Sequence, residues 1–415
     1  MAILSLVFLF LAIFLGFWRK TNMGLVAFGL ALVLGKIAGV AAKTIQAGFP
    51  TKLFVTLLGV MLLFSIAQEN KTMEQIARRI ISLAGKRTAL IPIIVYVFSA
   101  VLAAVGPGTV PVMGLMAVFT CSLAAEMRIS PVLLSATSVL GAAAGGLTPI
   151  APTGILGLSL AEEQGITGIA LPYALNMVMA MTVYFVVIYI VLKGYQMKSQ
   201  AEVSEMKITP LDRSQAITLA GIVLLVVLVV GMGYDVGLTS FTIAMVLLLA
   251  KAGDQKKAIA GIPWGTLLMI AGINTLMAMV IALEGIDLLA DGLASLMTPA
   301  TAPGIMGVTA GIMSFFSSTS GVVMPTLIPT VSGVAAQVGG VSALSLISAI
   351  TNTASAAGMS PISTGGSMGL AAYSQIAQPT PEEQSRLFVQ LFLVSIGGVI
   401  VIALFGMTGA YNWFG

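Results

Sequence analysis

Four short stretches set hydroxyls, glycines and prolines side by side: GPGT (106–109), GGLTPIAPTG (145–154), SSTSG (317–321) and GMSPISTGG (358–366). They interrupt a chain that is 58% hydrophobic and only 8% charged. Proline removes a backbone donor and clashes with the preceding turn, which frees carbonyls. Glycine lets the backbone turn openly. Freed carbonyls and hydroxyls are hard oxygen ligands suited to a small cation. A helix that restarts after a break offers unpaired N–H groups and a positive dipole end, which suit an anion. One break can therefore hold a cation and a carboxylate together, and two related breaks suit a substrate with two carboxylates.

The candidate carboxylate ligands are Thr109, Thr148, Pro149, Thr153, Ser318, Thr319, Ser360, Pro361, Ser363 and Thr364. The candidate sodium ligands, through backbone and hydroxyl or amide oxygens, are Gly106, Gly108, Thr109, Gly146, Ser317, Thr319, Asn352 and Gly358. Small residues in apolar helices often serve only close packing, and GAAAGG (141–146) alone would read that way. The recurrence of Pro, Gly and hydroxyls in both halves favours a binding site. Asn274 has no counterpart in the first half and reads as helix packing, as the methionines of MVMAM (177–181) do.

The residue types that are missing narrow the chemistry. There is no His, and the single Cys121 excludes an intramolecular disulfide. No Asp, Glu, Lys, Arg or His lies in the interior of a predicted span or at a hairpin tip. Proton-coupled carriers generally place a titratable group in the membrane, so sodium is the expected coupling ion. An intramembrane enzyme would need a nucleophile–base pair or a metal set, and none is legible, so no enzymatic activity is expected. Nothing points to nucleic acid.

The elements that must position these residues are apolar helices in a lipid bilayer. Runs such as 215–232 and 387–405 are long enough to cross a hydrocarbon core of ~30 Å. Spans are expected near 2–18, 23–41, 51–67, 131–157, 170–192, 215–232, 238–250, 263–284, 341–370 and 387–408. Two re-entrant helical hairpins are expected at 88–126 and 302–338. Residues 2–17 lack a basic n-region and a small-residue cleavage site, and read as a retained first span. With this arrangement every Lys and Arg except Lys36, Lys43 and Lys52 falls on the cytoplasmic side. Glu162, Glu163, Asp235, Glu284, Asp287 and Asp291 cluster on the far side, and both termini lie outside. The expected location is a bacterial inner (cytoplasmic) membrane. KTMEQIARRIISLAGKR (71–87) reads as an amphipathic helix on the cytoplasmic surface, and Trp264 and Trp413 suit interfacial anchoring.

The hydrophilic segment 193–214 divides the chain into halves 1–192 and 215–415 that repeat each other. GFPTKLFVTLLG (48–59) aligns with GIPWGTLLMIAG (261–272). GPGTVPVMG (106–114) falls opposite SSTSGVVMP (317–325), and Thr148-Pro149 opposite Ser360-Pro361. The offsets of 213, 210 and 212 residues stay in register. In the expected topology Pro50 lies outside and Pro263 inside, so the halves are inverted, as in many secondary transporters. The fold class expected is an all-α polytopic membrane protein of two inverted repeats. Each carries one re-entrant hairpin and one broken span (131–157 and 341–370).

These motifs resemble the ion transporter superfamily, and most closely the MatC-type dicarboxylate carriers. IQAGFPTKLFVTLLGVMLLFSIAQEN (45–70) and the region from GPGTVPVMG to GGLTPIAPTG carry the resemblance best. The plan is also similar to the divalent anion/sodium symporters, which place Ser-Asn-Thr at each hairpin tip. Here the tips read Pro107-Gly108-Thr109 and Ser317-Ser318-Thr319, so both threonines match and the Asn is replaced by Gly108 and Ser318. The resemblance implies a homodimer, an elevator mechanism with a moving transport domain and a fixed scaffold, and sodium-coupled uptake of malonate or a C4-dicarboxylate. The alternatives are the membrane subunit of a tripartite carrier that needs a periplasmic binding protein, and a passive anion channel.

Overall fold

The structure is a computed structural model, which describes residues 1–414 except 20, 82–87, 128–130, 198–209, 316 and 378. The end of the expected surface helix (82–87) and the middle of the expected linker lie outside the described residues. The first half runs α1 (Ala2–Trp18), α2 (Met23–Ile37), α3 (Ala42–Ala47), α4 (Thr51–Glu69) and α5 (Thr72–Ile81). It continues through α6 (Ile91–Ala104), α7 (Thr109–Met127), α8 (Pro131–Gly145), α9 (Pro152–Glu163) and α10 (Ala170–Val191). The second half runs α11 (Arg213–Val226), α12 (Val236–Leu249), α13 (Gln255–Gly261), α14 (Trp264–Ala282), α15 (Gly285–Ala294) and α16 (Ala302–Phe315). It closes with α17 (Met324–Leu327), α18 (Val331–Val338), α19 (Ala343–Ala357), α20 (Thr364–Ala377) and α21 (Pro381–Met407). Among the described residues all regular structure is helical.

Sequence chemistry sets many of the boundaries. Asp235, Asp254 and Ser342 accept a backbone N–H at the starts of α12, α13 and α19. Asp212 with Gln215 and Thr380 with Glu383 form reciprocal capping boxes at α11 and α21. Five helical segments are long and apolar enough to cross a membrane: Thr51–Glu69, Ala170–Val191, Trp264–Ala282, Thr319–Val338 and Glu382–Met407. The half-helices on either side of each break are individually too short for that, as the broken-span reading requires.

The two halves are built alike and exchange partners. α2 packs on α14 and α12 packs on α4. Gly24 and Gly272 sit backbone to backbone in the first pair, and Gly237 and Gly59 in the second, with a 213-residue offset between the pairs. A Cβ at any of these positions would collide with main chain or with the start of a facing side chain. Gly48, just before α4, faces Ala278 near the end of α14. Gly261, just before α14, faces Ser65 near the end of α4, whose Oγ donates to the Ala258 carbonyl at 2.6 Å. The equivalent helices α4 and α14 therefore run antiparallel. Lys71 and Glu284, the residues that follow them at the same offset, both adopt φ 61°.

Three short helices were not expected from the sequence: α3, α13 and α15. α15 stands where α5 stands in the first half. Its sequence GIDLLADGLA lacks the basic stripe that marks α5.

Candidate functional site

Each half brings a two-helix hairpin against its broken span: α6 packs on α8, and α16 on α19. In the first hairpin the chain turns through Gly106 (φ 138°) and Gly108 (φ 77°), conformations that L side chains rarely adopt. Pro111 falls in the first turn of α7, where its missing N–H costs no helical bond, so α7 runs unbroken to Met127. In the second hairpin Pro325 and Pro329 lie deeper. The arm after Ser318 passes through a π-turn (319–323), α17, a 3-10 turn (328–330) and then α18. Ser318 caps that arm, its Oγ accepting from Gly321 N–H at 3.2 Å.

The breaks close in the same way. Gly154 N–H donates to the Gly146 carbonyl at 3.0 Å, and Gly366 N–H donates to the Gly358 carbonyl at 3.1 Å. Both pairs are eight residues apart, and they stand 212 residues from each other. α9 and α20 restart directly after these turns, with Thr153 and Thr364 in their first turns.

Both tips and both breaks meet at one small cavity of about 30 Å³. Its polar lining is Thr109, Thr153, Ser318, Thr319, Ser320, Ser355, Ser363 and Thr364, with Gly358, Gly365, Val110 and Met113 completing the wall. Thr109 Oγ1 and Thr153 Oγ1 lie 3.4 Å apart, and Thr319 Oγ1 lies 3.2 Å from Ser314 Oγ. No charged side chain lines it. A second void of about 20 Å³ shares Thr109, Thr153 and Ser320, and reaches Met61 on α4 and Thr266 and Ile270 on α14. The tips thus abut the α4–α14 pair. Gly106 is pressed against Phe64 of α4, and Gly321 against Met269 of α14.

Seven of the residues expected from the sequence line this cavity: Thr109, Thr153, Ser318, Thr319, Gly358, Ser363 and Thr364. The others sit around it. Gly146 lies directly under Thr109, where a Cβ would land on Thr109 Oγ1. Gly108 packs on Pro152. Ser317 lends its carbonyl to Ser363 Oγ at 2.9 Å. Thr148 and Ser360 turn their hydroxyls to hairpin carbonyls instead of the cavity, with Pro361 buried and Pro149 exposed beside them. Asn352 is also absent from the lining: it is wholly buried, and its Nδ2 donates to the Asn176 carbonyl at 3.2 Å, joining α19 to α10. Ser320 and Ser355 were missed by sequence reasoning. Ser355 stands three residues before Gly358, a spacing that puts both on one helical face.

The fold is the one seen in a solved transporter. The chain is similar over 99% of its length to 98% of the Alcanivorax borkumensis YdaH transporter, described as having an unusual topology, with a TM-score of 0.62 and 13% identity. Residues 1–146 match the family model described as dicarboxylate carrier protein MatC N-terminus. No curated protein matches the chain. The long apolar helices mark a multi-pass membrane protein, and its fold is shared with that transporter.

Proposed function

We propose that this protein is a secondary transporter that carries a small dicarboxylate, malonate or a C4-dicarboxylate, together with sodium. One observation carries the reading: two hairpin tips and two helix breaks, related by the internal repeat, meet at a cavity lined by hydroxyls and backbone and free of charged side chains. The match of the first 146 residues to a dicarboxylate carrier family favours that substrate class. A dianion in this cavity would be held by Thr and Ser hydroxyls and by the N-terminal ends of α9 and α20. With no Lys or Arg in the lining, bound sodium supplies the compensating charge.

Sodium would bind in two equivalent places. One lies between Thr109 and Gly146, where the absence of a side chain leaves Thr109 Oγ1 close to the α8 backbone. The other lies between Thr319 and Gly358. The cavity has room for one or two waters, less than a dicarboxylate needs, so loading requires the tips to part. The hairpins and broken spans would move as one body against the α4–α14 pair, an elevator motion. We place the carrier as a homodimer in a bacterial inner membrane, with both termini outside.

The test is uptake of labelled malonate and succinate into proteoliposomes, with and without an inward sodium gradient. Sodium-driven accumulation of either supports the symporter. Downhill flux indifferent to sodium would replace it with a channel. Accumulation only when a soluble binding protein is added would replace it with the tripartite carrier.

A further inference from the structure

The central cavity has one apolar side. Apart from Val110 and Met113, every residue that lines it is Ser, Thr or Gly. Both stand on α7, where Thr109 and Met113 follow one another at i and i+4 and so share a face. Met113 is buried, and its Sδ reaches into the other half of the molecule: a Cβ built on Gly365 would lie 3.1 Å from it. Gly365 follows Thr364 in the first turn of α20. The Met113 side chain is therefore rooted one turn from Thr109 and ends at the neighbour of Thr364, along the wall between the hydroxyls of the first half and those of the second. Its repeat partner is placed differently. Met324, at the same point of SSTSGVVMP, is wholly buried against Gly157 of α9 and does not line the cavity.

We infer that Met113 sets the length of the diacid that the cavity accepts, an inference that rests on the dicarboxylate reading above. A dicarboxylate is polar at its two ends and apolar between them. Hydroxyls and helix N-termini suit the ends. A methylene laid against a hydroxyl strips it of water and gives it no partner in return, so the methylenes belong on the Val110–Met113 side. Across from Met113 the second break presents Gly358 and Gly365, which have no side chains, so the thioether alone closes that side of the cavity. The hydroxyls of the two halves fix where the carboxylates sit, and a longer chain between them must bow toward Met113. Met is unbranched and packs closely on such a chain, but it leaves no room for further carbons.

The experiment measures uptake of labelled malonate, succinate, glutarate and adipate into proteoliposomes under an inward sodium gradient. It compares the wild-type chain with Met113→Leu, Met113→Val and Met113→Ala, and records Tm for each. Wild-type uptake should favour the short acids. Met113→Leu nearly conserves volume and should keep that order. Met113→Ala should raise uptake of glutarate relative to succinate by roughly tenfold, the discrimination that one methylene supports in an apolar pocket, and Met113→Val should fall between. Met324→Ala removes the same side chain away from the cavity, and should lower Tm with the order unchanged. An active wild type whose order of preference persists in Met113→Val and Met113→Ala would overturn the length gauge alone, as would an equal shift in Met324→Ala. A wild type that takes up none of the four acids would overturn the dicarboxylate reading and the gauge with it.

Discussion

Thr148 and Ser360 make the same bond in the two halves of the molecule. Thr148 Oγ1 donates to the Ala104 carbonyl at 2.7 Å, and Ser360 Oγ donates to the Phe315 carbonyl at 3.3 Å. In each half a hydroxyl from the broken span satisfies a carbonyl at the end of the first hairpin helix. These two side chains tie each break to the end of the first helix of its hairpin.

Removing the fastening should loosen the break. Thr148→Val and Ser360→Ala each remove a hydroxyl that donates to a main-chain carbonyl, at a cost of about 0.5–1.5 kcal/mol. The expected result is a lower Tm for each variant, and a larger loss for Thr148→Val because its bond is the shorter. Thermal melting in detergent checks it, and an unchanged Tm in both would refute the fastening role.

Thr109 and Thr319 face the cavity from opposite tips. The double variant Thr109→Ala/Thr319→Ala should abolish sodium-driven uptake with the melting temperature within a few degrees of the parent. Thr→Ser at both positions keeps the hydroxyls and should keep uptake. Uptake retained in the Ala variant would sink the site assignment.

Gly146 tests the proposed sodium site by filling it. A methyl there would occupy the place of Thr109 Oγ1. Gly146→Ala should raise the sodium concentration needed for half-maximal uptake by at least tenfold. Overpacking of this kind typically costs 1–3 kcal/mol. Gly272→Ala supplies the contrast: its methyl would strike the Gly24 main chain between α2 and α14, so stability should fall whatever the sodium concentration. Sodium titration of uptake and of Tm separates the two.

No titratable side chain lines the cavity. Between about pH 6.5 and 8.5, uptake should therefore follow only the ionisation of the substrate itself, with no additional protein pKa. An unaccounted inflection in the pH–rate profile of a fully ionised substrate would point to a proton-coupled step.

The sequence alone determined the helical class, the repeat and most of the tip and break residues. Spans follow from apolar length, and Gly, Pro and hydroxyl clusters are conspicuous where every backbone group must otherwise pair internally. The repeat was legible because Pro50 and Pro263, and Gly59 and Gly272, do the same local work at a constant offset.

The tertiary structure decided which hydroxyls face the cavity and which are spent on main chain. Thr148 and Thr153 are alike in type and five residues apart, yet one tethers Ala104 and the other lines the cavity. That choice depends on where the chain turns between Gly146 and Pro152, which composition does not specify. Asn352 illustrates the same limit: its position on α19 is readable, but its partner Asn176 comes from α10, 176 residues earlier. The pairing of α2 with α14 and of α12 with α4 was equally hidden. It rests on backbone contact between glycines, which leave no hydrophobic or charge pattern in the sequence.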